Sequence, residues 1–260
     1  MYQSINYKVD DGLATITLNR PKVFNALNQS IKVELLQAFR TVADDDNVRV
    51  VVLTGAGHAF CSGQDLKSAH QEMLEKSYSE TVREYYNPLI MQMKTLPKPI
   101  IARVNGIAAG AGCSLALACD VIVAAEEAVF SELFVGIGLV MDSGSTYFLP
   151  RMVGSLRAFE LATLGTKITA TQAQAMGMVN QVIAANDLDK AVAKYVTKYQ
   201  NAPTVTVGLI KNMLLDSANM SLEDTLALEA KVQDQAAATH DHQEGIAAFT
   251  EKRKPHFKGK

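Results

Sequence analysis

Three short apolar runs, VRVVVLTG at 48–55, IIARVNG at 100–106 and DVIVAA at 120–125, do most to restrict what this chain can become. They are close to continuously apolar instead of alternating, the pattern of strands covered on both faces. Each is separated from the next by enough chain to hold a helix, and strands spaced in this way join as parallel βαβ units with right-handed crossovers. An earlier β-rich run, LATITL at 13–18, ends at Asn19-Arg20-Pro21. The apolar spacing of Ile31, Leu35, Ala38, Phe39 and Val42 predicts an amphipathic helix over 30–45. A helix rich in Tyr, Leu, Ile and Met follows at 77–96, stopped by Pro97-Lys98-Pro99, and Gly110-Ala111-Gly112 open another through CSLALA.

Beyond residue 150 the pattern turns helical. Thr169-Ala170-Thr171-Gln172 has the form of a capping box, and Gly177 stands where that helix should end. One strand, in GMVNQVI at 177–183, precedes predicted helices at 186–200, 203–217 and 221–239, a short helix from Gly245 and a basic tail. The class is therefore α/β, with a sheet-rich part over 1–200 packed against a helical region over 201–260, and no linker separates two independent domains. A chain of 260 residues that is 48% apolar can bury a large core. Its net charge of −2, with both signs interspersed, leaves no footprint for nucleic acid or an acidic membrane surface. No apolar run is long enough to span a bilayer, and MYQSINYKVDDG carries no leader pattern. Cys61, Cys113 and Cys119 are an odd number in apolar contexts, as expected of reduced thiols in a cytoplasmic protein. His58, His70, His240, His242 and His256 show no metal-ligand spacing, so no metal is expected.

Three segments combine backbone freedom with unusual side chains. HAFCSGQDL at 58–66 reads as a strand-end turn in which Asp65 caps the next helix. NGIAAGAGCSLA at 105–116 allows close backbone approach and presents helix-start N–H groups. The spacing of Gly106, Gly110 and Gly112 does not fit a dinucleotide fingerprint. Because both segments follow strands, both belong at the carboxyl edge of a sheet, where open α/β folds bind ligands. GIGLVMDSGSTYFLPRMVG at 136–154 places one acid, Asp142, among glycine, hydroxyl and apolar side chains. A buried carboxylate must be paired or put to use: Asp142 either pairs with Arg151, caps a helix start through Ser143 to Thr146, or works as an acid/base.

NRPKVFNALN, AFCSGQDL, KPIIARVNGIAAGAGCSLALACDVIVAA, GIGLVMDSGSTYFLPRMVG, ATQAQAMGMVNQVI and FTEKRKPHFKG together resemble the crotonase (enoyl-CoA hydratase/isomerase) superfamily along essentially the whole chain. The resemblance implies a ClpP-like β-spiral of ββα units in place of a flat doubly wound sheet, with C-terminal helices that build homotrimers or hexamers. It implies an acyl-CoA thioester as substrate, coenzyme A being part of that substrate and no separate cofactor being needed. Two backbone N–H groups, mapped onto Ser62 and Ala111, hold the thioester oxygen in that family. Gly63, Gln64, Asp65, Leu66, Gly110 and Phe134 flank them as substrate-binding positions. Lys22, Val23 and Ala26 match the segment lining the adenine and phosphates, and Lys252 and Phe257 match tail contacts to the CoA 3′-phosphate. Tyr85, Tyr86, Met91 and Met93 lie on the helix that borders the acyl pocket, as core or lining.

The departures from the family narrow the reaction. The two glutamates with which its hydratases activate water fall here at Ser114 and Phe134, and both are missing; Glu132, two residues earlier, need not point the same way. Asp142 aligns instead with the single aspartate of the phenylacetate-pathway and Δ3-Δ2 isomerase branch. The expected activity is an acyl-CoA isomerisation, of an enoyl double bond or a ring-opening kind, with an enolate held by the two N–H groups. The alternatives are a hydratase-type lyase with an atypical site, an aryl-CoA dehalogenase, whose tryptophan this chain lacks, and a homologue that binds acyl-CoA without catalysis.

Overall fold

The Asp11-Gly12 dipeptide passes through two positive φ angles, 45° and 76°, which suit a tight two-residue hairpin. It pairs β1 (Ile5–Asp10) antiparallel with β2 (Leu13–Leu18). The computed structural model describes residues 2–72 and 74–260. After α1 (Gln29–Asp44) come β3 (Val50–Gly55), β4 (Ala59–Cys61), α2 (Leu66–Glu72), α3 (Tyr78–Thr81) and α4 (Asn87–Thr95). The same sequence of long strand, short strand and helix recurs as β5 (Ile100–Val104), β6 (Ile107–Ala109) and α5 (Ala111–Leu117), then as β7 (Val121–Ala125), β8 (Val129–Ser131) and α6 (Ser145–Val153). The chain continues through α7 (Ser155–Leu164), β9 (Ile168–Thr169), α8 (Ala170–Ala175), β10 (Gln181–Ile183), α9 (Leu188–Gln200), α10 (Thr204–Ser217), α11 (Leu222–Ala237) and α12 (His240–Thr250).

The five long strands and the three-residue β10 form one sheet in the order β1-β2-β3-β5-β7-β10, parallel beyond the hairpin, and the other short ones form a second in the order β4-β6-β8-β9. These repeated ββα turns are the expected spiral. The apolar runs are buried on both faces, as their composition demands. Val51, Leu53, Ala102 and Ile122 face the cluster that includes Leu35, Phe39 and Leu89, while Val50, Val52, Ile101 and Val123 face Leu188, Val192 and Val196 of α9. Adjacent residues of one strand thus serve opposite layers.

The short strands β4, β6, β8 and β9 fall where the sequence predicts loops, because two or three residues are too few to display a period. The helix predicted over 77–96 is interrupted at 82–86 by a wide π-type turn, just ahead of Pro88 in the first turn of α4. Proline lacks the N–H that a regular α-turn would use there. Pocket-side Tyr86 and core Met93 are buried, but Met91 is exposed, correcting its assignment to core or lining. The capping box at Thr169 forms, with Gly177 in the left-handed region two residues beyond α8. The last helix starts at His240, five residues ahead of Gly245, because Thr239 Oγ1 accepts from His242 N. The basic tail folds back: Lys258 N and Gly259 N donate to the buried Asp241 carboxylate at 2.6 and 2.7 Å. None of the helices among the described residues is long and apolar enough to cross a membrane.

Candidate active site

β4 and β6 are parallel neighbours, so the turns that leave their carboxyl ends meet. The first is Ser62-Gly63-Gln64 and the second Gly110-Ala111-Gly112. Their approach is possible only without side chains: a Cβ on Gly112 would lie 2.3 Å from Cys61 O and 2.7 Å from Cys61 Cβ. Replacing Gly112 by alanine is expected to force the two turns apart, costing about 1–3 kcal/mol of stability, read as a lowered Tm, and to depress turnover of any ligand held between them.

Backbone hydrogen-bond accounting decides which N–H groups can serve a ligand. Ser62 N donates to Phe24 O at 3.0 Å. This corrects the mapping of one thioester donor onto Ser62: its N–H is spent on the left-handed turn at Phe24 and Asn25. The Gly63 N–H faces the Cys61 sulfur. Gly63, at φ 94°, breaks the strand alternation. Gly63 O accepts from Leu27 N and Asp65 N donates to Leu27 O, both at the side facing Leu27. Gln64 N–H is left without a partner among the described residues, on the side away from Leu27. Ala111 N–H opens α5, where helix geometry provides no internal acceptor. The available pair is therefore Gln64 and Ala111. Nothing in the residue types distinguishes Ser62 from Gln64; the difference arises from the contact with the 24–27 segment.

A cavity of about 260 Å³ opens between the turns. Gly63, Gln64, Gly110, Ala111, Phe134 and Asp142 line it, together with an apolar wall that includes Leu66, Val82, Ile137 and Leu139. Asp142 is neither of the structural alternatives. Arg151 donates to Tyr147 O and to Asn219 Oδ1 and stacks 3.6 Å over the Tyr147 ring. α6 is capped by Gly144 without a side-chain bond. Among the described residues Asp142 has no ion pair, and its side-chain partner is Ser143 Oγ at 2.8 Å. Burial pushes its carboxyl above the usual range, with the Ser143 hydrogen bond and the charge of Lys32 opposing. Lys32 is itself fully buried, 5.0 and 5.1 Å from the Tyr85 and Tyr86 ring centres and 3.4 Å from Gln64 Oε1. Tyr86 Oη also bonds Gln64 Oε1. A lysine on the apolar stripe of α1 was not legible beforehand; only the i, i+3, i+7 spacing with Leu35 and Phe39 hints at it.

The other positions divide. Asp65 does cap α2, accepting from Lys67 N and Ser68 N, and pairs with Arg20 at 2.9 Å, so it holds the turn without lining the cavity. Lys22, Val23 and Ala26 lie on the turn behind the Ser62 loop, outside the cavity lining. Lys252 and Phe257 are not brought to it in this chain either; Phe257 packs by Gly245 and its carbonyl accepts from Arg49 at 3.1 Å. Ser114 is fully buried beneath the cavity and Phe134 lines it. Glu132 points off the cavity into the core, where Ser145 Oγ lies 2.8 Å from its Oε1. All three cysteines are free and buried, the Cys61 thiol being pushed up to about 12. Among the described residues no group of His, Cys, Asp and Glu is arranged to hold a metal; the side chain of His70 lies outside them.

Similarity to known proteins agrees with this geometry. Residues 8–260 match the family model for enoyl-CoA hydratase/isomerase. The chain is 40% identical over 259 residues to a probable enoyl-CoA hydratase of Rhodobacter capsulatus, covering 100% of this chain and 99% of that one. It is 38% identical over 262 residues to the 1,2-epoxyphenylacetyl-CoA isomerase of Escherichia coli, covering 100% of both. The crystal structure of a putative enoyl-CoA hydratase/isomerase from Mycobacterium abscessus superposes with a TM-score of 0.92 at 36% identity, over 98% of this chain and 100% of that one. With a spiral of ββα units, two facing turns with unspent N–H groups and a match over nearly its whole length, the chain belongs to the enoyl-CoA hydratase/isomerase family.

Proposed function

We propose that this chain is an acyl-CoA isomerase that moves a double bond by proton abstraction and return at Asp142. The observation that carries the reading is one carboxylate, without a cation partner among the described residues, in a largely apolar cavity that also holds the Gln64 and Ala111 N–H groups. In a 3-enoyl-CoA the Asp142 carboxylate takes a proton from C2, and the C–H electron pair enters a dienolate whose negative charge rests on the thioester oxygen. The two N–H groups stabilise that oxygen; one such donor is typically worth about 2.7–4 kcal/mol in a water-poor site. The carboxyl then returns the proton to C4, leaving the double bond at C2–C3 and the carboxylate restored. Coenzyme A enters as part of the substrate, and the chemistry calls for no other cofactor. Hydration is disfavoured because Ser114 and Phe134 offer no carboxylate to activate water, and Glu132 is turned away. Exposed Leu222, Leu226, Ile246 and Phe249 on the C-terminal helices support the self-association that the resemblance implies.

Incubation with a 3-enoyl-CoA in deuterium oxide tests the reading. Conversion to the 2-enoyl-CoA with deuterium uptake is expected; a 3-hydroxyacyl-CoA as the main product overturns it in favour of hydration, and binding without conversion in favour of a carrier role. Because the base must be ionised and its carboxyl is raised by burial, kcat/KM should climb with pH. Its midpoint should lie above the ordinary aspartate value of about 3.9, as a pH-rate profile will read.

A further inference from the structure

Behind the cavity runs a buried polar chain that the isomerisation itself does not use. Glu132 Oε1 lies 2.8 Å from Ser145 Oγ, Ser145 Oγ lies 2.7 Å from Ser114 Oγ, and Ser114 Oγ lies 3.2 Å from Gly110 O. Ser114, Ser145 and Glu132 are all buried, and the Cys113 thiol also bears on the Glu132 carboxyl. The chain touches both halves of the site. Gly110 O belongs to the peptide whose N–H is that of Ala111, and Ser145 N donates to Asp142 O at 3.0 Å.

Counting hydrogens shows what the carboxyl does. The three contacts need three hydrogens, and the two serine hydroxyls supply only two. When Glu132 is a carboxylic acid it supplies the third: Glu132 donates to Ser145, Ser145 to Ser114, and Ser114 to Gly110 O. When Glu132 is a carboxylate it is the strongest acceptor of the set and turns both hydroxyls toward itself, so the Gly110 carbonyl loses its side-chain donor and keeps only Ser114 N, at 3.0 Å. A hydrogen bond on a peptide carbonyl polarises that peptide and makes its N–H a better donor.

We propose that Glu132 is a positioning residue which, through Ser145 and Ser114, sets the strength with which the Ala111 N–H grips the thioester oxygen, strong when Glu132 carries its proton and weaker when it does not. This rests on the reading that Ala111 N–H receives that oxygen. Both states are within reach near neutrality, since burial, against hydrogen bonds from Ser145 and the Cys113 thiol and with the charge of Asp142 adding to it, pushes the Glu132 carboxyl up to about 7. The titratable groups bearing on it are the Cys113 thiol of α5 and Asp142. Its remaining surroundings, Phe130, Leu149, Leu161, Thr166, Ile168 and Met178, carry no charge.

The test uses hexanoyl-CoA labelled with carbon-13 at the thioester carbonyl, bound to the protein in an Asp142→Asn background so that Asp142 does not titrate. The carbonyl infrared band is followed from well below to well above the Glu132 midpoint. A stronger hydrogen bond lowers the band. With Glu132 retained, the band is expected to move to higher frequency as pH rises. In Glu132→Gln, whose amide N–H donates at every pH, it should stay at the low frequency throughout. In Ser114→Ala, which removes the hydroxyl that reaches Gly110 O, it should stay at the high frequency. A band that is lowered on binding yet independent of pH, and alike in all three forms, overturns the relay and leaves the two-donor site standing. A band no different from that of free hexanoyl-CoA in every form overturns the donor assignment, and the relay with it.

Discussion

Replacing Asp142 by asparagine should lower kcat for double-bond migration by about 10²- to 10⁴-fold, the usual contribution of a positioned general base, while the dissociation constant for an acyl-CoA ester changes little. The two halves of this expectation have different origins. Asparagine has nearly the same shape and retains an oxygen that can accept from Ser143 Oγ, so the turn at 142–145 and the lining of the cavity persist. The amide cannot take up a proton at C2, so the enolate does not form. On the proposed mechanism, binding energy comes from the apolar wall and the two N–H groups, none of which the substitution touches. Turnover within a few-fold of the unmodified chain would mean that the base lies elsewhere, and Glu132, the other raised carboxyl near the site, would be the first residue to examine.

Conformational stability should show a second large effect, at Glu132. Its carboxyl stands at about 7 in the folded chain against a reference value of 4.5. A carboxyl raised on folding contributes its stability fully below the unfolded value and loses it as pH climbs through the folded one. Between these limits the unfolded chain has released a proton that the native state still holds, so unfolding becomes easier with rising pH. The loss amounts to about 3 kcal/mol by the time both states are ionised. Glu132→Gln carries no such proton. Denaturant midpoints measured from pH 4.5 to pH 7 and beyond should therefore fall for the unmodified chain relative to the variant. Parallel curves for the two proteins would show that the Glu132 carboxyl is not raised.

The class and order of elements were legible because they are written in local composition. Continuous apolar runs such as 50–53 and 121–125 had to be strands covered on both faces, and the capping box at Thr169 and the left-handed Gly177 need only neighbours within a few residues. The presence of Asp142 in an otherwise apolar, glycine-rich segment was equally local, and so was the absence of carboxylates at 114 and 134. The π-type turn at 82–86 and the short strands β4, β6, β8 and β9 left no periodic trace.

By itself, then, the sequence determined an α/β chain with two small-residue turns at a sheet edge and a single acid beyond them. Only the tertiary structure decided which N–H groups are free to act. Ser62 and Gln64 are equivalent as residue types, yet Phe24 O takes the N–H of one, while Gly63 turns the other away from the 24–27 segment. The same holds for the acids. Asp142 lines the cavity and Glu132 is tied to Ser145 in the core, because a carboxyl's role depends on the atoms packed around it, and those arrive from segments far apart in the chain.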